Sequence, residues 1–395
     1  MKYLRHETFK YLSKEEVEFL RGKTVAICGL GSIGSKVASL LARAGINLIL
    51  IDRGVVRESN ITTHELLDEK DIDLPKVFAI SKKLMEINKD IRITPYFESI
   101  NSANVEFLLK NADVIVDGLD NMISRYILND YSRKNSVPFI HAAIAGNTGV
   151  VLNVVSNDTA CFQCLYPEAL VGDALDKHES EGTLNSFSNI LSGIVATECI
   201  KILLGKDYMT NLLYVKFWTN DFEKIGVEKD PNCKACSGNF VYLSMNPNLV
   251  EVCGDNFYFI DMKGINFENL VENVRNQLEL LTVNDYLIKY NAEGKLIYVF
   301  KDGRAIIQAN SKDEAMHLYN TYVKDLSEKR SYASGTLDES ANLYEEDREE
   351  ERQETYASNV MEEPRSERYE EEDKEGEESS KEEEDDDSLF FPQSF

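Results

Sequence analysis

The feature that most constrains the fold is a glycine-rich turn between an apolar segment and an amphipathic one, in "AICGLGSIGSKVASLLARAG". Residues 24–28 are predicted as a buried strand and residues 35–43 as a helix. The turn between them holds Gly29, Gly31 and Gly34. Glycines let the backbone approach an anion closely, and the helix N-terminus offers unpaired N–H groups. The stretch therefore predicts a phosphate-binding turn and leaves the identity of the nucleotide open.

A second strand, "INLILID", follows the helix and ends in Asp52, an acidic residue placed to hold ribose hydroxyls. Strand and helix patterns continue to alternate through "VIVDGLD" and "VPFIHAAI". This alternation predicts an α/β fold with a Rossmann-like, doubly wound and mainly parallel sheet.

Three composition regimes divide the chain. Residues 1–249 carry the strand–helix alternation and are predicted as the nucleotide-binding domain. Residues 250–325 are predicted as a small α+β domain, with Asp302-Gly303 as a two-residue hairpin turn. Residues 326–395 are rich in Glu, Asp and Ser, and they are predicted to be disordered because they bury too little apolar surface to fold.

The charge of the chain lies mostly in this acidic tail. The net charge is −26, and residues 326–395 hold 26 Asp or Glu against 8 Lys or Arg. The remaining −8 is ordinary for an acidic globular protein and makes nucleic acid an unlikely main partner. No apolar run approaches the roughly 20 residues that span a membrane, and "MKYLRHETFKYL" lacks a signal-peptide core. We expect a cytoplasmic protein that does not contact a membrane.

Four of the seven cysteines form two C-x-x-C pairs, Cys161 with Cys164 and Cys233 with Cys236. Two such pairs complete a closed, tetrahedral four-sulfur site, which predicts a structural Zn²⁺ ion. An iron–sulfur cluster uses the same ligands and stays open as an alternative. Disulfides are less favoured because nothing in the chain indicates export. The other cysteines are predicted to be packing residues: Cys28, Cys199 and Cys253.

A second cluster of polar residues follows the strand in "VIVDGLDNMISRYILND": Asp117, Asp120, Asn121 and Arg125. Open α/β sheets bind ligands at the carboxyl ends of their strands. Asp120 there is suited to Mg²⁺ on a nucleoside triphosphate, and Asn121 is a further nucleotide-binding candidate. The segment before it supplies Asn60 and Lys76, and a lysine so placed suits phosphate charge. Together these residues favour ATP over a nicotinamide dinucleotide.

The chain resembles the HesA/MoeB/ThiF family of adenylating enzymes, which are related to ubiquitin-activating enzymes. The resemblance covers about residues 1–245 and rests on "KYLRHE", "GLGSIGS", "LIDRGVVRESNITTHEL", "DLPKV", "DGLDNMISR" and the two C-x-x-C pairs. It implies ATP-dependent adenylation of the C-terminal glycine carboxylate of a small ubiquitin-like or sulfur-carrier protein ending in Gly-Gly. It also implies release of pyrophosphate and a homodimeric enzyme.

The resemblance also implies a role for each matching residue. Gly29, Gly31 and Gly34 match the nucleotide loop, and Asp52 matches the ribose ligand. Asn60 and Lys76 match residues around the triphosphate, and Asp120 matches the Mg²⁺ ligand. Arg5 matches an arginine that reaches into the active site of the partner subunit. Cations are needed because negative charge develops when a carboxylate attacks the α-phosphate and pyrophosphate leaves.

Two departures from the family pattern bear on catalysis. The family commonly has an arginine three residues after the matching asparagine, where this chain has Thr63, and Arg57 is the candidate to compensate. Relatives that form a thioester or persulfide place a cysteine where ungapped alignment puts His178. The chain is therefore expected to stop at the acyl-adenylate, with another protein delivering sulfur or receiving the acyl group.

Other functions remain open on the sequence alone. These are adenylation of another carboxylate, such as a ribosomal peptide, or of a modified tRNA base, and a nucleotide-binding scaffold without catalysis. A dehydrogenase is least favoured because no histidine stands out as a proton donor. The tail ends in the apolar "SLFFPQSF", and Leu389–Phe395 is predicted to recruit a partner protein, against the alternative that the tail only keeps the protein soluble.

Overall fold

The computed structural model of the chain describes residues 2–156, 158–167, 182–245, 250–252 and 256–329. His178, Cys253 and most of the acidic tail, including the predicted docking segment, lie outside the described residues.

The first sheet has eight strands in the order β3-β2-β1-β4-β5-β6-β7-β8. The strands are β1 (Thr24–Cys28), β2 (Asn47–Ile51), β3 (Ile93–Tyr96), β4 (Val114–Asp117), β5 (Phe139–Ala145), β6 (Thr148–Val154), β7 (Leu212–Lys216) and β8 (Asp221–Ile225). The first five strands in this order, β3, β2, β1, β4 and β5, are parallel to one another. Strands β6, β7 and β8 extend the sheet in antiparallel fashion. The predicted α/β fold with a doubly wound, mainly parallel sheet is confirmed. The strand order reverses between β1 and β4, and this is where such sheets bind ligands.

Helices cover both faces of this sheet. They are α1 (Leu4–Glu7), α2 (Lys14–Arg21), α3 (Gly34–Arg43), α4 (Glu58–Ile61), α5 (Lys76–Ile87), α6 (Val105–Leu109), α7 (Met122–Asn135), α8 (Phe162–Leu165) and α9 (Asn185–Leu203). Residues of α3, α5 and α9 share one apolar core with the sheet, and residues of α6 and α7 share a second core on the other face. Among the described residues, α9 alone is long and apolar enough to cross a membrane. This helix belongs to the protein core, because it is fully buried at Leu191, Val195 and Cys199, which pack in the core that it shares with the sheet.

The second domain, residues 250–329, is built on a six-stranded antiparallel sheet in the order β11-β12-β13-β14-β10-β9. Its elements are β9 (Val250–Val252), β10 (Phe257–Ile260), α10 (Phe267–Gln277), β11 (Glu279–Val283), β12 (Leu287–Ala292), β13 (Lys295–Phe300), β14 (Ala305–Gln308), α11 (Lys312–Tyr319) and α12 (Asp325–Glu328). The helices pack on one face of the sheet, as a small α+β domain requires. The last helix carries Leu326 into that core, just beyond the limit of 325 predicted from composition.

The hairpin between β13 and β14 differs from the prediction in its loop length. The amide of Phe300 donates to the Arg304 carbonyl at 2.9 Å, which leaves three residues in the loop. The amide of Gly303 donates back to the Phe300 carbonyl at 2.9 Å, and its φ is +96°. A left-handed glycine at the third loop position is the usual end of a three-residue hairpin. The prediction of a hairpin is confirmed, and the prediction of a two-residue turn is wrong.

Candidate active site

A cavity of about 130 Å³ opens at the carboxyl ends of β1, β2 and β4, where the strand order reverses. Six residues predicted from the sequence line it: Gly29, Gly31, Asp52, Lys76, Asp120 and Asn121. Gly34, Asn60 and Arg5 are not among its lining residues. The structure therefore brings six of the predicted site residues to one cavity, while Gly34 and Asn60 lie outside its lining and Arg5 was predicted to act in the partner subunit.

Close backbone packing explains the glycines of the turn. Gly29 has a φ of +88°, and a Cβ atom there would lie 2.5 Å from the carbonyl oxygen of Gly118. A Cβ atom on Gly34 would lie 2.0 Å from the Gly29 carbonyl oxygen. Gly34 is thus needed for contact between helix and turn, and Gly29 and Gly31 are the glycines that face the cavity.

Asp52 fixes the glycine-rich turn through its carboxylate. One carboxylate oxygen accepts from the Leu30 amide at 2.7 Å, and the other accepts from the Gly54 amide at 2.6 Å. Each oxygen keeps a further lone pair for a ligand hydroxyl. The residue predicted to bind ribose is therefore held rigidly at the cavity by the backbone of two loops.

His64 holds the same residue, Leu30, through its carbonyl group, and the sequence analysis did not single it out. Its Nε2 donates to the Leu30 carbonyl at 3.0 Å, so its Nδ1 accepts from the Thr63 hydroxyl at 2.9 Å. Only 4% of His64 is exposed, and burial, together with the charge of Lys76, lowers its pKa to about 4. His64 is consequently neutral and clamps the turn at neutral pH.

Lys76 begins α5 and lies beside Gly54 at the cavity. A Cβ atom on Gly54 would lie 3.0 Å from a carboxylate oxygen of Asp52 and 3.5 Å from the Lys76 Nζ, which explains the glycine there. In the described part of the chain, the Lys76 ammonium has no hydrogen-bonding or ion-pair partner. A half-buried cation with spare donors is suited to bind phosphate oxygens.

The loop after β4 carries the predicted Mg²⁺ ligand. Asp120 is 56% exposed at its side chain, and its carboxylate oxygen lies 3.8 Å from Nη2 of Arg53. Arg53 also donates to the hydroxyl of Ser99 at 3.2 Å, and both residues line the cavity. Asn121 caps α7 by accepting from the Ser124 amide at 2.8 Å, which explains why the helix begins there. A loosely paired carboxylate facing a cavity fits the donor set that Mg²⁺ requires.

A network of buried side chains holds the loop that follows β4. Asp117 is fully buried, and its carboxylate accepts from His141 Nδ1 at 2.6 Å and lies 3.2 Å from Nε of Arg125. The other carboxylate oxygen accepts from the Leu119 amide at 2.8 Å, and Arg125 donates to the Leu119 carbonyl. Burial lowers the pKa of His141. The network fixes the backbone that precedes Asp120.

Asn60 and Thr63 lie outside the cavity lining. The side-chain oxygen of Asn60 accepts from the Arg57 amide at 3.0 Å, so it stabilises the start of α4. The carbonyl of Thr63 accepts from the ammonium of Lys36 at 2.9 Å. That ammonium is buried and also binds Ser188 Oγ at 2.6 Å, and burial lowers the pKa of Lys36 to about 8. Arg57, the candidate to compensate for the missing arginine, lines the cavity.

Arg5 is exposed and lies near the far end of α3 from the cavity. Tyr3, two residues earlier in the chain, is buried. Its ring packs against Gly45, where a Cβ atom would lie 3.0 Å from the ring. Its hydroxyl accepts from Asn88 at 2.9 Å. Since α3 begins at the cavity and its ten residues span about 15 Å, Arg5 is remote from the cavity of its own chain.

The four predicted metal ligands meet in one cluster. Sγ of Cys161 lies 3.7 Å from that of Cys164 and 3.5 Å from that of Cys233, and Cys164 lies 3.6 Å from Cys236. Zn–S bonds of about 2.3 Å in a tetrahedron place sulfur atoms about 3.8 Å apart, so the cluster fits a zinc ion and no disulfide. Hydrogen bonding among the sulfurs raises the pKa of Cys161 and lowers that of Cys164. A thiolate cluster of this kind is stabilised by a cation.

Two other cysteines are described, and neither is accessible. Cys28 and Cys199 are fully buried, and desolvation raises the pKa of each thiol. A buried thiol with a raised pKa is a poor nucleophile. Their predicted packing role agrees with this burial.

Several cavity residues escaped the sequence analysis: Arg53, Gly54, Glu98, Ser99, Gly118, Tyr298 and Ile306. Gly118 had a usable signal, because a glycine directly after a strand that ends in Asp117 marks a close backbone approach. Tyr298 and Ile306 had none, since they belong to the second domain and reach the cavity only through tertiary packing.

Comparison with known proteins gives related enzymes from bacteria and archaea. The chain is 28% identical over 334 residues to a Bacillus subtilis sulfur carrier protein ThiS adenylyltransferase, covering 82% of this chain and 99% of that protein. It is 28% identical over 255 residues to a Haloferax volcanii SAMP-activating enzyme E1, covering 64% of this chain and 94% of that protein. The predicted class of enzyme, an adenylyltransferase related to activating enzymes, is confirmed by these relatives.

Solved structures and a family model agree with this grouping. The structure of Escherichia coli MccB superposes with a TM-score of 0.53 at 22% identity, covering 60% of this chain and 72% of that chain, which shows a shared fold. The family model described as "ThiF family" matches residues 3–235, more than half of the chain. The chain therefore belongs to the ThiF family, as its motifs predicted.

Proposed function

We propose that the chain uses ATP to adenylate the C-terminal glycine carboxylate of a small ubiquitin-like or sulfur-carrier protein ending in Gly-Gly, and that it releases pyrophosphate. One observation carries the proposal: the cavity at the reversal of strand order gathers Gly31, Asp52, Lys76 and Asp120. The names of the relatives from B. subtilis and H. volcanii support this class of substrate. The cytoplasmic location expected from the sequence fits the same role.

Each residue has a role that its contacts support. Asp52 is held by two amides and offers its remaining lone pairs to the ribose hydroxyls. Lys76 offers its ammonium to the phosphates, and it stays there through the transfer because α5 anchors its backbone. Asp120 would hold Mg²⁺, whose charge offsets that of the triphosphate, and the neighbouring Asn121 is proposed to contact the nucleotide. Fixed cations lower the barrier because they need no reorganisation as charge develops.

The position of Arg5 supports a homodimeric active site. Within its own chain, Tyr3, two residues before Arg5, packs at the end of α3 that is far from the cavity, which keeps Arg5 away from its own site. Its exposure leaves it available to a neighbouring copy of the chain. We place Arg5 of one subunit in the active site of the other, where it would add positive charge at the phosphates.

The reaction is proposed to end at the acyl-adenylate. The described cysteines outside the four-sulfur cluster, Cys28 and Cys199, are buried. The four cluster sulfurs are proposed to hold a structural Zn²⁺ ion, which would keep them unreactive toward the adenylate. Transfer of sulfur, or of the acyl group, then falls to a second protein.

The test is ATP–pyrophosphate exchange with candidate small proteins that end in Gly-Gly, using the full chain. Exchange is expected only when such a protein and Mg²⁺ are both present. Lys76→Ala is expected to lower the exchange rate at least 100-fold, since it removes a cation from the phosphates. Lys82→Ala is the matched control, because Lys82 lies on the same helix and is exposed, and it should leave the rate unchanged.

Three results would contradict the proposal. Exchange that depends on a peptide or tRNA and not on a Gly-Gly protein would favour another adenylated substrate. ATP binding without exchange for any acceptor would favour a non-catalytic scaffold. Tight binding of NAD with no binding of ATP would favour a dehydrogenase over an adenylating enzyme.

A further inference from the structure

We propose that the second domain is part of the nucleotide site, and that the face of its sheet carrying Tyr298 and Ile306 forms an apolar wall against the nucleoside. This inference rests on the proposed function, since it takes the ligand of the cavity to be ATP. The family domain ends at residue 235 in the matched model, so the wall comes from outside it.

Strand alternation sorts the residues of the second sheet onto two faces. Ile307 on β14 and Val299 on β13 belong to the core under the helices of the second domain. Their neighbours Ile306 and Tyr298 point the other way, into an apolar cluster shared with Val55 of the first domain. Both also line the cavity, so this face closes one side of the site.

Polar contacts fix the sheet on one side of the cavity at the loop that precedes α5. Asp73 in this loop is buried and accepts from the Lys289 ammonium at 2.9 Å. Thr282 donates to the same carboxylate at 3.0 Å, and the side-chain amide of Asn284 donates to the Asp73 backbone carbonyl at 3.0 Å. Asp73 thus has three partners from the second domain, two on its carboxylate and one on its backbone carbonyl, and they hold that domain in a defined place.

A second set of contacts fixes the sheet at the segment that follows β3. Arg304 is only 4% exposed and donates to the Phe97 carbonyl at 2.7 Å and to the Glu98 carboxylate at 3.2 Å. The rings of Phe97 and Phe300 meet edge to face with centroids 4.7 Å apart. Since Glu98 itself lines the cavity, the second domain is bound directly to the rim of the site.

The same face also positions two cations of the cavity. The guanidinium of Arg53 lies 5.6 Å from the ring centroid of Phe259, and that of Arg57 lies 5.1 Å from that of Phe257. Both distances are within the range of a cation–π interaction. The second domain therefore contributes apolar surface of its own and directs charges that belong to the first domain.

The chemistry of the wall indicates which part of ATP it meets. An isoleucine and the ring of a tyrosine offer apolar surface, which suits the base and ribose and gives nothing to phosphate oxygens. The Tyr298 ring is buried with the Lys289 ammonium 5.2 Å from its centroid, so its position is fixed. The geometry thus points to Tyr298 and Ile306 as nucleoside-binding residues.

Ile306 and Ile307 give a matched pair for the test. They are consecutive isoleucines on one strand, 3% and 0% exposed, and they face opposite sides of the sheet. Isothermal titration calorimetry with MgATP is carried out on the full chain and on Ile306→Ala and Ile307→Ala. Ile306→Ala is expected to raise the Kd for ATP about 10-fold, as the loss of apolar pocket contacts typically does. Ile307→Ala should lower the thermal midpoint of unfolding at least as much as Ile306→Ala does. It should change the Kd for ATP less than about two-fold.

AMP shares the nucleoside of ATP and lacks two phosphates, so it identifies the contact. The factor by which Ile306→Ala raises the Kd should be the same for AMP and ATP. A rise in Kd that Ile306→Ala causes for ATP and not for AMP would overturn the assignment to the nucleoside. If an alanine variant does not fold, Ile306→Val and Ile307→Val replace the pair, with an expected rise of about three-fold for the first alone.

The outcomes separate this inference from the proposed function. An unchanged ATP Kd for Ile306→Ala, or an equal rise for Ile307→Ala, would overturn the inference while the wild-type chain still bound ATP. A wild-type chain that bound no ATP would overturn the proposed function and the inference with it.

Discussion

His64 should make the stability of the chain sensitive to mild acid. The imidazole is 4% exposed and donates to the Leu30 carbonyl, and burial lowers its pKa to about 4 from an ordinary 6.5. Between these two values the unfolded chain binds a proton at this residue that the folded chain does not bind. Stability therefore rises with pH across the window from 4 to 6.5 and falls as the pH drops through it.

The size of the effect follows from the shift. A shift of 2.5 pKa units corresponds to about 3 kcal/mol once the pH is below 4, and about 2 kcal/mol is lost between pH 7 and pH 5. Solvent screening does not reduce this figure, because the ring is buried. The charged neighbours act in both directions, since Lys76 and Lys36 lower the pKa and Asp52 raises it.

Urea unfolding at several pH values measures the contribution, with His64→Gln as the perturbation. The glutamine amide can donate to the Leu30 carbonyl and accept from the Thr63 hydroxyl, and it does not titrate. The difference in unfolding free energy between wild type and His64→Gln should shift by about 2 kcal/mol between pH 7 and pH 5. His141, whose pKa burial also lowers, is present in both proteins and cancels in the difference.

His317→Gln is the matched control, because His317 is exposed on α11. Its stability curve shows what the loss of a histidine outside the glycine-rich turn does by itself. Parallel curves for His64→Gln and the wild type would refute the reasoning, since they would mean that His64 gains its proton equally in the folded and unfolded chain.

Three further predictions concern the metal, the dimer and the tail. Cys161→Ser should lose bound zinc and lower the thermal midpoint together, and metal analysis showing one zinc ion per variant chain would contradict the site. Arg5→Ala and Asp120→Ala should each be inactive in exchange, and an equal mixture with confirmed subunit exchange should regain about a quarter of wild-type activity, since half of the dimers hold one intact site; no recovery would exclude a shared site. Removal of residues 330–395, a cut that spares the buried Leu326, should leave the exchange rate unchanged and abolish capture of a partner that the full chain binds, whereas equal capture would leave the tail only a solubility role.

Local patterns explain what the sequence predicts well. The strand, the turn and the helix around Gly29 are set by residues adjacent in the chain, and steric limits on the backbone at that turn exclude any other residue type. The ends of parallel strands share one sheet edge, so Asp52 and Asp120 meet without further information. The four cysteines meet because each pair is local and the chemistry requires two pairs.

Asn60 shows a contact that local reasoning did not predict. Its motif position predicts a place near the triphosphate, yet its side chain accepts from the Arg57 amide at the start of α4. Short polar side chains often satisfy nearby backbone groups first. Local reasoning also did not find His64, because a single histidine in a polar stretch gives no sign that it is buried under the glycine-rich turn.

We infer that the departure at Thr63 and the presence of the second domain are connected through the placement of charge. A phosphate site that lacks one arginine needs a cation from elsewhere, and Arg53 and Arg57 both line the cavity. A flexible arginine is useful there only if something restricts it, because ordering a long side chain costs conformational entropy. The rings of Phe259 and Phe257 lie within cation–π distance of the two guanidiniums, and both belong to the second domain. The motif is therefore incomplete as a linear pattern, and we infer that the second domain completes it in three dimensions.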